Sequence, residues 1–258
     1  MALQIHQFLC LQDNCGLLLR DEATGAVASV DAPDGEAIAA EAKRLGWILT
    51  HVLLTHHHLD HVEGVPALRK AFPGLKVIGA RADAGRLPRL DLAVAEGDEA
   101  ALGESVARVI ATPGHTTGHL AYHFLEDEAV FVGDTLFSLG CGRIFEGTPS
   151  IMYASLQKLA ELPDETRVYC GHEYTQANGR FAVTVDPANP MLQERIEEVA
   201  RLRAEGRFTL PTTIARERAT NPFLRCENDE VQAALGMSGA DPVRVFAKMR
   251  EAKNAFRA

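Results

Sequence analysis

The sequence predicts an α/β fold followed by a helical C-terminal segment. Three observations carry that expectation. Up to about residue 172, short apolar and partly β-branched stretches alternate with amphipathic ones. The stretch Thr55-His56-His57-His58-Leu59-Asp60-His61 lies where an apolar run ends and a helix begins, the place where α/β folds collect functional groups. From about Glu173 the texture changes to mixed-charge helical segments with little strand signal.

Taken in order, residues 3–11 and 16–20 read as strands, and Asp21-Glu22-Ala23-Thr24-Gly25 reads as a hairpin turn into a strand over 26–30. A helix over 36–45 is stopped by Gly46. The apolar run 47–54 reads as a strand, and 62–70 as a helix that ends at Phe72-Pro73-Gly74. Short strands follow at 76–79 and near 92–95, with a turn at Glu96-Gly97-Asp98. Further strands are expected at 106–111, 120–125 and 129–132, the last two as a hairpin. A helix over 152–162 precedes the strand Val168-Tyr169-Cys170. Helices over 173–184, 190–205, 228–236 and 242–255 are separated by Asp186-Pro187, Gly206, Pro211 and Asp241-Pro242. The expected organisation is a metal-binding domain over 1–172 and a helical domain over 173–258.

A chain of 258 residues, 47% hydrophobic, suits one large domain or one domain with an appendage. Its formal net charge of −9 argues against a nucleic-acid partner. No run approaches the ~18 apolar residues of a membrane span, so no membrane partner is expected. Residues 1–6 lack a basic segment followed by an apolar one, so no signal peptide is expected. The five cysteines, Cys10, Cys15, Cys141, Cys170 and Cys226, are odd in number and scattered. They read as small core residues of a protein in a reducing cytoplasm rather than a disulfide framework.

The histidine cluster has chemically specific spacing. His56 and His58 are two apart, so an extended backbone points both the same way and turns His57 away. Asp60 and His61 are adjacent in the turn entering the helix and reach a different point. Imidazoles with a carboxylate form a set that zinc or iron prefers, and two differently aimed groups suggest two ions. Three more strand ends carry ligand-type residues: His115 in a Gly/Thr-rich loop, Asp134 after Gly133, and His172 after Gly171. His119 reads as a supporting residue and His123 as a satisfied sheet residue. Taken alone, Asp134 reads as a helix cap or turn residue. Cys141 and Cys170 lie near these positions, but as nucleophiles they have no base apart from ligand histidines.

The pattern His-x-His-x-Asp-His at 56–61, with Gly-His115, Gly-Asp134 and Gly-His172, resembles that of the metallo-β-lactamase superfamily. Within it, Cys141-Gly142-Arg143-Ile144-Phe145-Glu146-Gly147-Thr148 and Gly171-His172-Glu173-Tyr174-Thr175 resemble the hydroxyacylglutathione hydrolase, or glyoxalase II, family. The likeness extends to Asn221-Pro222-Phe223 and Arg250-x-x-Lys253. The resemblance implies an αββα sandwich with a C-terminal helical, glutathione-binding domain. It implies two divalent transition metal ions, zinc first, with iron or manganese as alternatives. One ion takes His56, His58 and His115, the other Asp60, His61 and His172, and Asp134 bridges them. Asp60 and Asp134 are the implied catalytic residues, with a hydroxide held by the ions attacking a thioester carbonyl. The implied substrate is S-D-lactoylglutathione, cleaved to glutathione and D-lactate in the second step of methylglyoxal detoxification. Arg143, Phe145, Tyr174, Arg250 and Lys253 are the implied substrate-binding residues, Arg250 and Lys253 in a half-open site. Phe145 stands where some members have Tyr, which removes one hydroxyl and bears on affinity rather than on the reaction.

The expected partner is therefore a small glutathione thioester, and the expected state a monomer. Other enzymes of the superfamily are the rivals: a lactamase, a lactonase, a persulfide dioxygenase or a nuclease. The net charge disfavours the nuclease, and the basic C-terminal helix has no purpose in a lactamase. A non-catalytic metal-binding protein is the rival outside enzymes. All seven ligand positions are filled, which argues against it.

Overall fold

A computed structural model of the chain describes residues 3–257. Residues 1, 2 and 258, which the expected domain limits include, lie outside the described residues. The chain forms two compact units by its internal contacts. One runs to Thr112 and resumes over Thr116–Gly133; the other comprises Pro113–His115 and everything from Asp134 onward.

The first unit is built on β1 (Leu3–Cys10), β2 (Asn14–Asp21), β3 (Val27–Val30), β4 (His51–Leu53), β5 (Lys76–Ala80) and β6 (Leu92–Val94), side by side in that order. β1, β2 and β3 pair antiparallel. β3 to β6 pair parallel, because the connections between them cross over. The connection after β3 carries α1 (Gly35–Arg44), capped by the Asp34 carboxylate, which accepts from the Glu36 and Ala37 amides. The next carries α2 (Leu59–Val62) and α3 (Val65–Ala71). A second, antiparallel set follows: β7 (Glu99–Leu102), β8 (Ser105–Ala111), β9 (Leu120–Phe124) and β10 (Ala129–Gly133). β3, β9 and β10 are buried along their whole length, so both faces are covered. The Tyr122 hydroxyl donates to Leu54 O at 2.8 Å and the Leu120 amide to Thr55 O at 2.8 Å, which ties the exit of β4 to the start of β9.

Two expectations around the histidine cluster change. The strand before it is only His51–Leu53, because from Thr55 on the backbone finds partners outside the β4–β5 ladder. Leu54 donates to Ile78 O at 2.8 Å and Thr55 to the Asp31 carboxylate at 2.7 Å. The single helix expected over 62–70 is two, α2 and α3. Gly64 interrupts it: its amide donates to Ala32 O at 2.8 Å, and its Cα lies so close to the Gly35 backbone that no side chain would fit. β7 was not anticipated, since its alanines carry little strand preference.

The second unit contains the hairpin β11 (Leu136–Phe137) and β12 (Gly140–Cys141), then α4 (Pro149–Ala160), β13 (Arg167–Cys170), α5 (Thr175–Val185) and α6 (Pro190–Ala204). β14 (Thr212–Thr213) pairs antiparallel with β13, and α7 (Ile214–Thr220), α8 (Asp229–Ala234) and α9 (Pro242–Ala255) follow. The hairpin, β14 and α7 are too short for a sequence period to reveal. Among the described residues no helix is long and apolar enough to cross a membrane.

Helices grip the β11–β12 hairpin from several sides. Leu139 at its tip is buried against Ala182 of α5 and Leu192 of α6, with Val183 and Ile196 packed beside them. The turn's backbone groups are met by side chains. Asn221 Nδ2 donates to Phe137 O at 3.0 Å and Gly140 O at 2.9 Å, Asn178 Nδ2 to Ser138 O at 3.2 Å, and the Leu139 amide to Glu217 at 2.8 Å. Glu217, fully buried, also accepts from Ser138 Oγ at 2.9 Å and Thr212 Oγ1 at 2.8 Å. This grip places the Asp134–Cys141 segment in the same compact unit as the helices. Leu139→Ala is expected to cost about 2–5 kcal/mol, the range for a fully buried leucine. A denaturant titration of both proteins measures it, and a loss under about 1 kcal/mol would show that the tip is not held.

Candidate metal centre

The first unit gathers His56, His58, Asp60 and His61 around one buried carboxylate. Asp31 follows β3 with φ +57, a left-handed conformation rare outside glycine. One of its oxygens accepts the Thr55 amide at 2.7 Å. The other accepts Thr55 Oγ1 at 2.8 Å and His61 Nδ1 at 2.7 Å. Because Thr55 Oγ1 donates to Asp31, it accepts from His56 Nδ1, 3.0 Å away. Both rings therefore carry their proton on Nδ1, and the lone pair sits on Nε2, the state in which histidine binds a metal. The His56 ring centroid lies 4.7 Å from that of His58 and 4.1 Å from that of His61. Asp60 stands in the first turn of α2, its backbone carbonyl accepting Asn14 Nδ2 at 3.0 Å. Asp31, His56 and His61 bring donor atoms within 4.8 Å of one another. Both Asp31 oxygens already accept hydrogen bonds from Thr55 or His61.

The second unit gathers His115, Asp134 and His172. The Gly114–His115 segment is fixed by the chain that follows the hairpin: Ser155 Oγ donates to Pro113 O at 2.6 Å and the Gly147 amide to Gly114 O at 3.1 Å. His115 Nδ1 donates to Arg143 O at 2.8 Å, so its lone pair is again on Nε2. Asp134 Oδ2 lies 3.6 Å from His115 Nε2 and 3.4 Å from His172 Nε2. In the first unit, His61 Nε2 lies 3.6 Å from Asp60 Oδ2. These separations are long for hydrogen bonds. They match the ~3.4 Å between two ligand atoms each about 2.1 Å from one tetrahedral ion. The donor set, its tautomers and its spacings thus fit a metal.

The glycine before Asp134 is required. Gly133 has φ +46, and a Cβ there would sit 2.5 Å from Thr55 Oγ1 and 2.8 Å from His119 Nε2. His119 itself is buried with Nδ1 2.9 Å from Thr112 Oγ1, a supporting position as its sequence context indicated. His123 is a buried β9 residue, but Nε2 has no hydrogen-bond partner, so it is not the satisfied sheet residue expected. Burial first, and then Arg108, lowers its pKa. All five cysteines are buried, and none is in a disulfide. Burial pushes the Cys141 thiol up despite the neighbouring Arg250, which removes it as a nucleophile.

The substrate-binding candidates divide. Phe145 is 61% exposed and meets His115 edge-on at 5.2 Å. Tyr174 stacks on His172 at 4.7 Å and meets Phe137 edge-on at 5.3 Å. Arg143 is exposed. Lys253 is half-buried, with Nζ donating to Ala177 O at 3.0 Å and lying 5.4 Å over Phe181 and 5.5 Å over Phe256. Burial first, then Arg250 and Arg180, lower its pKa to about 8. Arg250 departs from the half-open placement expected of it. It is 6% exposed, donates to Cys141 O at 2.8 Å and lies over Phe223 at 5.2 Å. Its helix face turns inward because the Cys141 carbonyl needs a donor. Asp31, Thr55, Asn14 and Asp83 are functional neighbours that sequence reasoning passed over. Only Asp31 carried a signal, as another carboxylate at a strand end.

The metallo-beta-lactamase superfamily model matches residues 26–172, and that of the hydroxyacylglutathione hydrolase C-terminus matches 173–256. The hydroxyacylglutathione hydrolase of Brucella anthropi is 52% identical over 254 residues, covering 98% of this chain and 97% of its own length. That of Rhodopseudomonas palustris is 53% identical over 254 residues, covering 98% and 99%. Among solved structures, ETHE1 from Myxococcus xanthus is similar at 29% identity and a TM-score of 0.68, covering 98% of this chain and 92% of its own. TTHA1623, crystallised in a di-iron-bound form, is similar at 27% identity and a TM-score of 0.61, covering 86% and 100%.

Asp31→Asn keeps the volume but offers one acceptor oxygen where three donors need two. Zn2+ affinity, measured by competition with a chelating dye, should fall about 10–100-fold, the usual effect of removing a residue that orients metal ligands. Affinity within about twofold of the parent would show that Asp31 does not orient the donors.

Proposed function

Since the chain belongs to the hydroxyacylglutathione hydrolase family, we propose that it cleaves S-D-lactoylglutathione to glutathione and D-lactate, a step of methylglyoxal detoxification. The chain is a metal-dependent hydrolase with the metallo-β-lactamase fold and the family's C-terminal segment. It carries histidine and aspartate clusters of the kind that hold a dinuclear metal site. One observation carries the substrate reading: the family likeness runs through both the donor-bearing segment and the C-terminal segment, at 52% identity over 98% of the chain.

In this reading His56, His58 and His115 hold one ion, Asp60, His61 and His172 the other, and Asp134 both. Zinc is the proposed metal, with iron or manganese as alternatives. Such ions lower the pKa of a bound water toward neutrality and polarise a carbonyl oxygen. The chain's own residues do the rest. Asp31 and Thr55 hold the His56 and His61 rings in the tautomer that presents Nε2. The Arg143 carbonyl does the same for His115. Asp134 Oδ2 lies 3.6 Å from His115 Nε2 and 3.4 Å from His172 Nε2, which supports assigning it to both ions. Thiolate is a good leaving group, so no general acid beyond solvent is required, and no side-chain nucleophile takes part.

Residues 173–258, with Arg143 and Phe145, form the proposed glutathione-binding portion. Tyr174 and Phe145 offer ring faces and edges beside the histidines. Arg143 and Lys253 supply cations for the two carboxylates of glutathione. Arg250 contributes from behind, by holding the Cys141 carbonyl and so the backbone that leads into Arg143. The five buried thiols suit a reducing cytoplasm, and the monomer is the proposed active state, since every proposed residue comes from one chain.

The purified protein should hydrolyse S-D-lactoylglutathione with kcat/KM of at least ~10⁴ M⁻¹s⁻¹, the lower range of ordinary enzymes. Thioester absorbance follows the reaction, and faster turnover of a β-lactam or lactone would reverse the reading. The pH dependence tests Lys253. A free-enzyme pKa of about 8 means its ammonium is present below that pH and lost above it. KM should therefore climb as pH rises from 8 toward 9.5 while kcat stays level. Lys253→Arg keeps its charge throughout, so its KM should stay flat. Lys253→Ala should raise KM roughly three- to thirtyfold at pH 7, between a screened and a charge-assisted contact. A pH-independent KM in the parent protein would remove Lys253 from the binding site.

A further inference from the structure

The histidine segment contains one imidazole to which the metal reading gives no task. His57 lies between His56 and His58 in the chain, and its ring meets that of His58 edge-on at 5.1 Å. It does not turn to solvent. Its Nδ1 lies 3.0 Å from Asp83 Oδ2, on a carboxylate only 2% exposed. Asp83 closes the short 3-10 turn Arg81–Asp83 that follows β5. Its other oxygen accepts Arg86 Nη2 at 2.5 Å, and the same nitrogen donates to Thr117 Oγ1 at 2.9 Å. A Cβ on Gly118 would collide with this carboxylate, so the 117–118 backbone lies directly against it. One buried acid thereby joins three segments: the loop with His56 and His58, the turn after β5, and the Thr117-Gly118 loop that leads into His119.

The loop has a need for such an anchor. Residues 54–58 belong to no strand or helix. Asp31 fixes Thr55 at one end and His61 beyond the other. Between those ends, two donors depend on peptide planes that no ladder holds. A side-chain bond at the residue between them anchors the Cα that joins the His56–His57 peptide to the His57–His58 peptide.

We propose that His57 is a positioning residue, which through its hydrogen bond to Asp83 aims His56 and His58 at their metal. The proposal rests on the metal reading of those two histidines. Its action is on the geometry of the empty donor set, so removing the bond weakens metal binding more than it weakens the metal-free fold.

The test compares the parent with His57→Ala, His57→Phe and His57→Asn. Phe keeps the ring volume without a donor, and Asn returns an N–H near the position of Nδ1. Two readouts are taken: Zn2+ affinity by chelator competition, and the melting temperature with and without Zn2+. The Ala and Phe variants should lose about 10–100-fold in Zn2+ affinity. Their metal-free melting temperature should stay near that of the parent, while the rise on adding Zn2+ shrinks. Asn should recover most of the affinity. In an Asp83→Asn background, His57→Ala should cost little more, because the two residues act through one bond. Affinity within about twofold of the parent would overturn the proposal. Equal losses of melting temperature with and without Zn2+, or failure of both Ala and Phe to fold, would assign the bond to the fold and overturn it too. A parent that binds no Zn2+ would instead defeat the metal reading on which the proposal rests.

Discussion

Two of the metal-type histidines, His56 and His61, depend on a single buried carboxylate, that of Asp31. Burying a carboxylate is costly unless donors surround it, and here three do: the Thr55 amide, the Thr55 hydroxyl and His61 Nδ1. Each charge-assisted bond contributes about 1.5–3 kcal/mol, enough to hold Asp31 itself at φ +57. The same bonds set chemistry. With Thr55 Oγ1 committed as a donor to Asp31, His56 must donate its Nδ1–H to Thr55 Oγ1, and His61 donates its Nδ1–H to Asp31. A constraint at the end of β3 thus decides which nitrogen of the two rings keeps its lone pair.

The second unit solves a similar problem with different residues. A hairpin of two residues per strand cannot meet its own backbone needs, and unmet buried groups are expensive. Asn178, Glu217, Asn221 and Arg250 meet them from α5, α7, the turn after α7, and α9. Leu139 adds the apolar lock. The hairpin lies between Asp134 and Arg143 in the chain, so the helices that would bind substrate also shape the backbone on which a proposed ligand and a proposed cation stand. Arg250 shows the consequence. Its place on a basic helix suggested a solvent-facing anchor, yet the carbonyl of Cys141 claims it.

What could be read from residues alone was set by short-range rules. Strand periodicity, the Gly46 stop, the Asp21–Gly25 turn and the spacing of His56, His58, Asp60 and His61 follow from backbone geometry over a few residues. The cysteine usage and the net charge needed no geometry at all. Strand-end context pointed to His115, Asp134 and His172, and motif resemblance then supplied the family and the expected division of the donors between two ions. Errors arose where neighbours distant in sequence decide. Gly64 breaks the helix after the cluster because the Gly35 backbone lies against it, and nothing near residue 64 announces this. β7 and the β11–β12 hairpin form because partners were brought to them.

By itself the sequence determined the α/β class, the metal-type donors and the family, since each is written in local spacing or in motif. The tertiary structure alone decided which acids stand behind those donors: Asp31 lies 24 residues from Thr55 and 30 from His61, and Asp83 lies 26 from His57. It also decided that Arg250 is enclosed while Lys253, three residues on, stays half-open with its pKa lowered. Burial and hydrogen-bond partnership are properties of which segments meet. They follow from the packing of the whole chain, and no spacing between neighbouring residues encodes them.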